Sequence, residues 1–365
     1  MTSPPRPELI VWGPFPPPVH GLAVVTEALA NRLASHARVT RFNVSARPIS
    51  RFAAINISYR AVRLLVLMGR FGLHVFKSRP RVVFVELSAG YVQLADALCA
   101  LLARMAGARV MIHHHSFAYL GHATTQWFNI AAFRILRGCE HIALCPQMQR
   151  LLRDHHGVER SQTLILSNAV FVPPVERSFG QPGGGALRLG FFSNITAEKG
   201  IFVLLELLLA LEEDGLPVEG VIAGPVDPAI AAAFAARLRK VKSARHVGVV
   251  SKASKAAFLA GIDVLVFPSR HIHEAEPLVM IEALSYGVPV LATSRGCIPS
   301  AWGGQTGVSV LNDEIFAEQA GRRVRSLIQD PRALAAARES ALVLYKDMHR
   351  HACAQLQRLL DSIVV

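Results

Sequence analysis

Near the middle of the chain, VPPVERSFGQPGGGA (residues 172–186) separates two runs of alternating strand-like and helix-like segments, and this break limits the possible folds most. Proline and glycine at such density leave no apolar period from which to build a packed face, which is the composition of a linker. A chain of 365 residues is also too long for one ordinary core and suits two of comparable size. We therefore expect an α/β protein of two doubly wound, Rossmann-like domains, residues 1–172 and 187–340, joined by a linker at 173–186.

The first half reads as strand 8–12, the turn GPFPPPVHG, then a helix over 22–34. A second such unit runs from strand 82–85 through Ser88, Ala89 and Gly90 into a helix over 92–105. A third strand, 109–112, ends in His113, His114 and His115, and short strands follow at 141–144 and 163–166. After the linker the pattern restarts with strand 187–192, helix 201–213, strand 218–223, helix 229–240, a strand near 246–249 and a strand at 263–267.

The last of these opens the segment FPSRHIHEAEPLVMIEALSYGVPVLAT, residues 267–293. An apolar, β-branched run closed by Pro268 is the signature of a buried parallel strand. Pro277 suits the first turn of a following helix, where a missing N–H costs nothing. If the whole segment were helical, Glu274 and Glu282 would point roughly 80° apart, so Glu274 is placed in the loop and Glu282 in the helix. Free backbone N–H groups at the start of this helix, with Pro277 setting the turn and Leu278 following it, lie just beyond the carboxyl end of a strand and make a phosphate site, and the two carboxylates could accept hydrogen bonds from sugar or ribose hydroxyls beside it.

The wording of this segment resembles the signature of the retaining glycosyltransferases of family GT4, whose fold is GT-B. The match is carried by Glu274, seven intervening residues and Glu282, with Pro277, Ala283, Gly287, Pro289 and the apolar run 290–292 around it. The resemblance implies two lobes facing across a cleft, with a last helix, residues 341–365, crossing back onto the first domain. It implies a transferase that moves a sugar from a nucleoside diphosphate donor, with retention, to a saccharide or polyprenyl-diphosphate-linked acceptor. Lys199, in GFFSNITAEKG, matches a lysine that neutralises the donor diphosphate. Asn194 stands where the family usually has arginine; it can bond a phosphate but carries no charge. Gly21 matches the second of a glycine pair at a helix start, with His20 replacing the first.

The family often reads H-x-H-G at the strand end occupied by 113–116, and its functional histidine lies beside the transferred sugar. His115 is the first choice for that role and His113 the second. Three consecutive histidines cannot all converge on one ion from an extended chain, so zinc is not expected. No D-x-D pair occurs to hold a divalent ion on a diphosphate. We expect no metal and no cofactor; the nucleotide sugar is a substrate, and the charges opposing its diphosphate come from Lys199 and helix N-termini. Gly248, beside His246, would allow close approach of a loop to the nucleotide base.

Formal net charge is +13, which points to an acidic partner: nucleotide phosphate, anionic lipid or nucleic acid. Residues 59–77, YRAVRLLVLMGRFGLHVFK, mix Arg60, Arg63, Arg70 and Lys77 with long apolar side chains. Such a helix either lies on an anionic membrane surface or is a core helix with wet arginines. The five cysteines show no C-x-x-C spacing and read as cytosolic thiols. The amino end lacks the pattern of a signal peptide, and no stretch reaches the roughly 18 apolar residues of a spanning helix. Two other readings stay open: a nucleotide-sugar epimerase on the same fold, and a basic membrane- or nucleic-acid-binding module, although no aromatic stacking motif supports nucleic acid.

Overall fold

The computed structural model describes residues 7–47, 49–50, 52–121, 124–175 and 185–364. Residues 176–184, most of the expected linker, lie outside the described residues. The chain divides into two compact units, Met1–Phe171 with Ala352–Val365, and Val172–His351.

In the first unit the strands are β1 (Glu8–Gly13), β2 (Arg38–Asn43), β3 (Val82–Leu87), β4 (Arg109–His114), β5 (Glu140–Ala143) and β6 (Thr163–Ile165). They form one parallel sheet in the order β2-β1-β3-β4-β5-β6. Its helices are α1 (Gly21–Ala34), α2 (Ala53–Ser78), α3 (Val92–Met105), α4 (Trp127–Ile135) and α5 (Pro146–His156). β1 and β3 carry near-continuous apolar runs because a central parallel strand is covered on both faces. Trp12, Phe42 and Phe71 meet edge to face, with ring centroids 5.2 Å apart for the two contacts made by Phe71, and lock α2 to β1 and β2. Glu86 is the one charged residue of β3, and it is fully buried.

The second unit has β7 (Leu187–Phe192), β8 (Val218–Ala223), β9 (Ala244–His246), β10 (Val264–Phe267), β11 (Val290–Thr293) and β12 (Val308–Leu311). These also pair in parallel, in the order β12-β11-β10-β7-β8-β9. The helices are α6 (Ile201–Glu213), α7 (Ala231–Leu238), α8 (Lys252–Ala260), α9 (Leu278–Ser285), α10 (Ile298–Trp302), α11 (Phe316–Gln329) and α12 (Pro331–Val364). Leu204, Leu208 and Leu211 of α6 pack with Leu189, Phe191 and Val266 of the sheet in a continuous core.

The helix expected at 341–365 is longer, running unbroken from Pro331, and it belongs to the first unit only from Ala352 onward. The strand read near 246–249 ends at His246, because Gly248 takes φ +79°, outside extended geometry. Cys99 and Cys139 are buried free thiols. No helix among the described residues is long and apolar enough to cross a membrane.

Candidate active site

In the second sheet the direction of chain progression reverses between β7 and β10: β8 and β9 extend to one side, β11 and β12 to the other. Ligands of open α/β sheets bind beyond the carboxyl ends of strands at such a switch point, because the loops on either side of it diverge and leave a crevice. The loop after β7 carries Asn194 and Lys199, and the loop after β10 carries Ser269 and Glu274. Lys199 Nζ donates to Glu274 Oε1, and the same carboxylate oxygen accepts from Ser269 Oγ at 3.1 Å. The lysine retains 22% and the glutamate 10% side-chain exposure, so both are held yet reachable from solvent.

Glu274 is fixed from a third loop. Gly296, after β11, has φ +53°, and a Cβ there would lie 2.5 Å from the carbonyl oxygens of both Glu274 and Ala275. Cys297 N donates to Ala275 O at 2.8 Å, so the loop bearing Glu274 is pinned by a close backbone approach that only glycine permits. Glu274 lies in a loop and Glu282 within α9, as expected. Pro277, however, is the residue just before the helix, and Leu278 is its first residue. Ala275, Glu276 and Pro277 are buried while Leu278 and Val279 keep partial exposure, so the amino end of α9 is not sealed.

Glu282 does not join Lys199. It forms an ion pair with Lys255 of α8, a residue the sequence reading passed over. Asn194 is exposed in the β7 loop. Gly248 follows β9, and its carbonyl accepts from Gly224 N at 2.8 Å, tying together the loops after β8 and β9.

In the first unit, Gly21 opens α1 with no atom within 4 Å of where a Cβ would stand, and His20 caps that helix by accepting from Ala23 N at 3.3 Å. His115 lies one residue past β4. Alternation turns His114 to the opposite face from its neighbours, where it bonds Tyr119 Oη at 3.0 Å and His141 at 2.9 Å. His113 and His115 share the other face, and Glu86 of β3 reaches both. The donor atoms of Glu86, His113 and His115 all lie within 4.8 Å of one another, a set that could hold a cation. His114 thus points away from its two neighbours, as alternation along an extended chain requires, whereas His113 and His115, two residues apart, share one face with Glu86 of the neighbouring strand, which the expectation of no ion site did not consider.

Burial alone would raise the Glu86 carboxyl, but the two imidazoles beside it bring it down to about 2. Burial, reinforced by His113, lowers His115 to about 4, against the opposing pull of Glu86. Burial also lowers His141 to about 4 and drives His114 well below the ordinary histidine range.

The geometry accords with what the chain resembles. Residues 186–330 match the family described as glycosyl transferases group 1. By sequence the chain matches no curated protein. Among solved structures it is similar to sucrose-phosphate synthase from Thermosynechococcus elongatus, with TM-score 0.76 and 14% identity over 98% of this chain and 99% of that one. It is also similar to Anabaena HepE in complex with UDP-glucose, with TM-score 0.69 and 14% identity over 96% and 99%. A third likeness is to WaaG, a glycosyltransferase involved in lipopolysaccharide biosynthesis, with TM-score 0.65 and 14% identity over 98% and 99%. The fold is therefore GT-B. Within this fold, residues 186–330 of the second unit form a glycosyl transferase group 1 domain.

Proposed function

We propose that the chain is a retaining, GT4-like transferase that takes a sugar from a nucleoside diphosphate donor and passes it to a saccharide or polyprenyl-diphosphate-linked acceptor, in exopolysaccharide or cell-envelope glycan synthesis. The observation that carries this reading is the Lys199–Glu274 pair on adjacent loops at the β7/β10 switch point, inside the segment that matches group 1. UDP-glucose in the HepE structure supports the donor class, and the stated involvement of WaaG in lipopolysaccharide synthesis supports the pathway class.

In this reading a donor diphosphate competes with Glu274 for Lys199. The ammonium moves from the carboxylate to the leaving phosphates, where charge develops in the transition state and a preorganised cation counts most. Glu274, released, accepts hydrogen bonds from sugar hydroxyls. Glu282 uses the lone pairs left over from Lys255 for the ribose. Asn194, Gly248 and the N–H groups at the start of α9 complete the donor contacts, with Pro277 and Leu278 shaping that turn, while Gly21 meets the diphosphate and His115 the sugar. No metal enters this scheme, because Lys199 and the backbone N–H groups supply the positive end.

The direct test is a thermal-shift screen of nucleotide sugars followed by an assay of nucleoside diphosphate release. A ligand at 100 times its Kd stabilises the native state by about 2.7 kcal/mol, which a melting curve resolves. Release should depend on an added acceptor. Donor turnover that needs no acceptor would favour an epimerase instead.

The acceptor class is supported by α2. From residue 28 to residue 85 the sequence has basic residues and not one acidic residue. Only Phe71 and Val75 of the 26 residues in α2 are buried, while Ile57, Val62, Leu65, Val66 and Leu73 are exposed along the same helix as Arg60 and Arg70. Arg63 is not part of that basic face, since it donates to the carbonyls of Asn43 and Val44 at 3.0 and 3.2 Å. We place this helix on an anionic bilayer, at the inner face of the plasma membrane, where lipid-linked acceptors are presented. The chain should sediment with vesicles containing phosphatidylglycerol and not with pure phosphatidylcholine. Replacing both Arg60 and Arg70 by glutamate should weaken that binding at least tenfold, each basic residue near the surface contributing about 1 kcal/mol.

A further inference from the structure

The first sheet also has a switch point, between β1 and β3, and Glu86 lies at its carboxyl edge beside Gly13. A Cβ on Gly13 would stand 2.6 Å from Glu86 Cγ and 2.8 Å from Glu86 Cβ, so the end of β1 leaves room for this side chain only because residue 13 is glycine. The register of β3 on β4 sets Glu86 opposite His113. The carboxylate then spans two imidazoles: Oε2 is 2.5 Å from His115 Nε2, and His113 Nδ1 lies 3.2 Å from Oε2 and 3.3 Å from Oε1. Glu86 and His113 are fully buried, and the His115 side chain keeps 7% exposure. Asp96 of α3 and Tyr119 also interact with Glu86; Asp96 is occupied by Trp12 Nε1 and Ser88 N, both at 2.8 Å, and Tyr119 Oη by His114.

A buried carboxylate costs several kcal/mol unless its oxygens are paired. A carboxylate accepts hydrogen bonds and, when ionised, cannot donate them, so the proton in the short contact belongs to the ring. Which nitrogen of a histidine carries its proton is set by the bond the other ring nitrogen makes. The Glu86–His115 contact is therefore a hydrogen bond donated by the ring Nε2–H to the carboxylate.

We infer that Glu86 is a positioning residue for His115, fixing the Nε2–H tautomer so that Nδ1 is left as the acceptor for a hydroxyl of the transferred sugar. The inference rests on the reading of His115 as the group beside the sugar. Glutamine at 86 keeps the shape but loses the charge, and its amide can present an N–H to Nε2 and so invert the tautomer. The same kind of change, a neutral amide behind a working imidazole, is known to be costly when the ring must carry its proton on one particular nitrogen.

The test combines kinetics with imidazole ¹⁵N NMR on the full chain. In the wild-type chain His115 should carry its proton on Nε2; in Glu86→Gln the proton should move to Nδ1 in a substantial fraction. Turnover should fall by roughly 10²-fold with KM for the donor within about threefold, the size expected when an outer partner of a working histidine is lost. Glu86→Asp should restore the tautomer and part of kcat. Wild-type His115 found with a bare Nε2, or an unchanged tautomer and kcat in Glu86→Gln, overturns the inference. So does stoichiometric zinc retained through dialysis by the wild-type chain and lost in the variant, which would make the trio a metal site. A wild-type chain that transfers sugar from no nucleotide donor sinks the functional reading separately, because the tautomer is read without substrate.

Discussion

Lys199→Ala should lower kcat by about 10²–10³-fold, the cost of removing one preorganised group from a developing anion. The effect should fall on kcat more than on donor KM, because the ground-state diphosphate keeps its backbone donors while the leaving group loses its only nearby ammonium within the β7 and β10 loops. Stability should change little. The pair is partly exposed, where an ion pair contributes at most about 1 kcal/mol, and Glu274 keeps its bond from Ser269. Lys199→Arg should recover only a fraction, since a guanidinium is a planar fork and not a compact point charge. A Lys199→Ala enzyme with wild-type kcat would remove the lysine from the mechanism; one that melts early would assign it to the fold.

The second large effect is loss of stability in acid. His114, His141 and His156 form a connected group in the first unit: His114 bonds His141 at 2.9 Å, and His156 Nε2 bonds the Tyr119 carbonyl at 2.7 Å. Burial depresses all three and holds them neutral in the native state. In the unfolded chain they titrate near 6.5, so between that pH and about 4 the unfolded state binds more protons than the native one. The stabilisation is thus complete above pH 6.5 and is lost as pH falls. His141 alone, shifted from 6.5 to about 4, accounts for about 3 kcal/mol across the window. Asp96 works the other way. Burial raises it to about 6, so it takes up its proton early and returns part of that energy. With His114 adding to His141, the balance remains destabilising, and Tm should drop by roughly 10 °C between pH 7 and pH 5. A melting temperature flat over that interval would mean that these rings are charged or solvated.

Much of the fold was legible because central parallel strands are apolar on both faces. Residues 187–192 and 218–223, and the helices 92–105 and 201–213, have the bounds read from sequence. What escaped reading is polar or at an edge. β2, RVTRFN, is an edge strand in which only Phe42 is buried, so no hydrophobic period marks it. α5 is polar enough that only Met148 and Leu152 are buried. In the site, Glu274, Glu282 and Lys199 carry local signals of loop, helix and strand end. Ser269 braces Glu274 from within its own loop, and Gly296 from a loop that only the β10–β11 pairing brings near. Lys255 meets Glu282 across 27 positions of chain with a whole strand between them. Glu86 did leave a trace, a lone acid in the buried run VVFVEL, but its partners follow only from the register of β3 on β4.

The division of α12 bears on how the protein is made. Ala352, Leu356, Leu359, Leu360 and Ile363 are buried, Gln355 accepts from Ser167 N, and Arg109 reaches the Ser362 carbonyl, all within the first unit. Domains commonly fold in the order in which they leave the ribosome. Here the portion translated first lacks a piece of its own interior until residues 352–363 have been made, so its apolar surface waits uncovered while the later unit can already close. A nascent chain stalled before residue 352 should therefore be the species that chaperones hold, and a gene fragment ending at 171 should yield protein that aggregates.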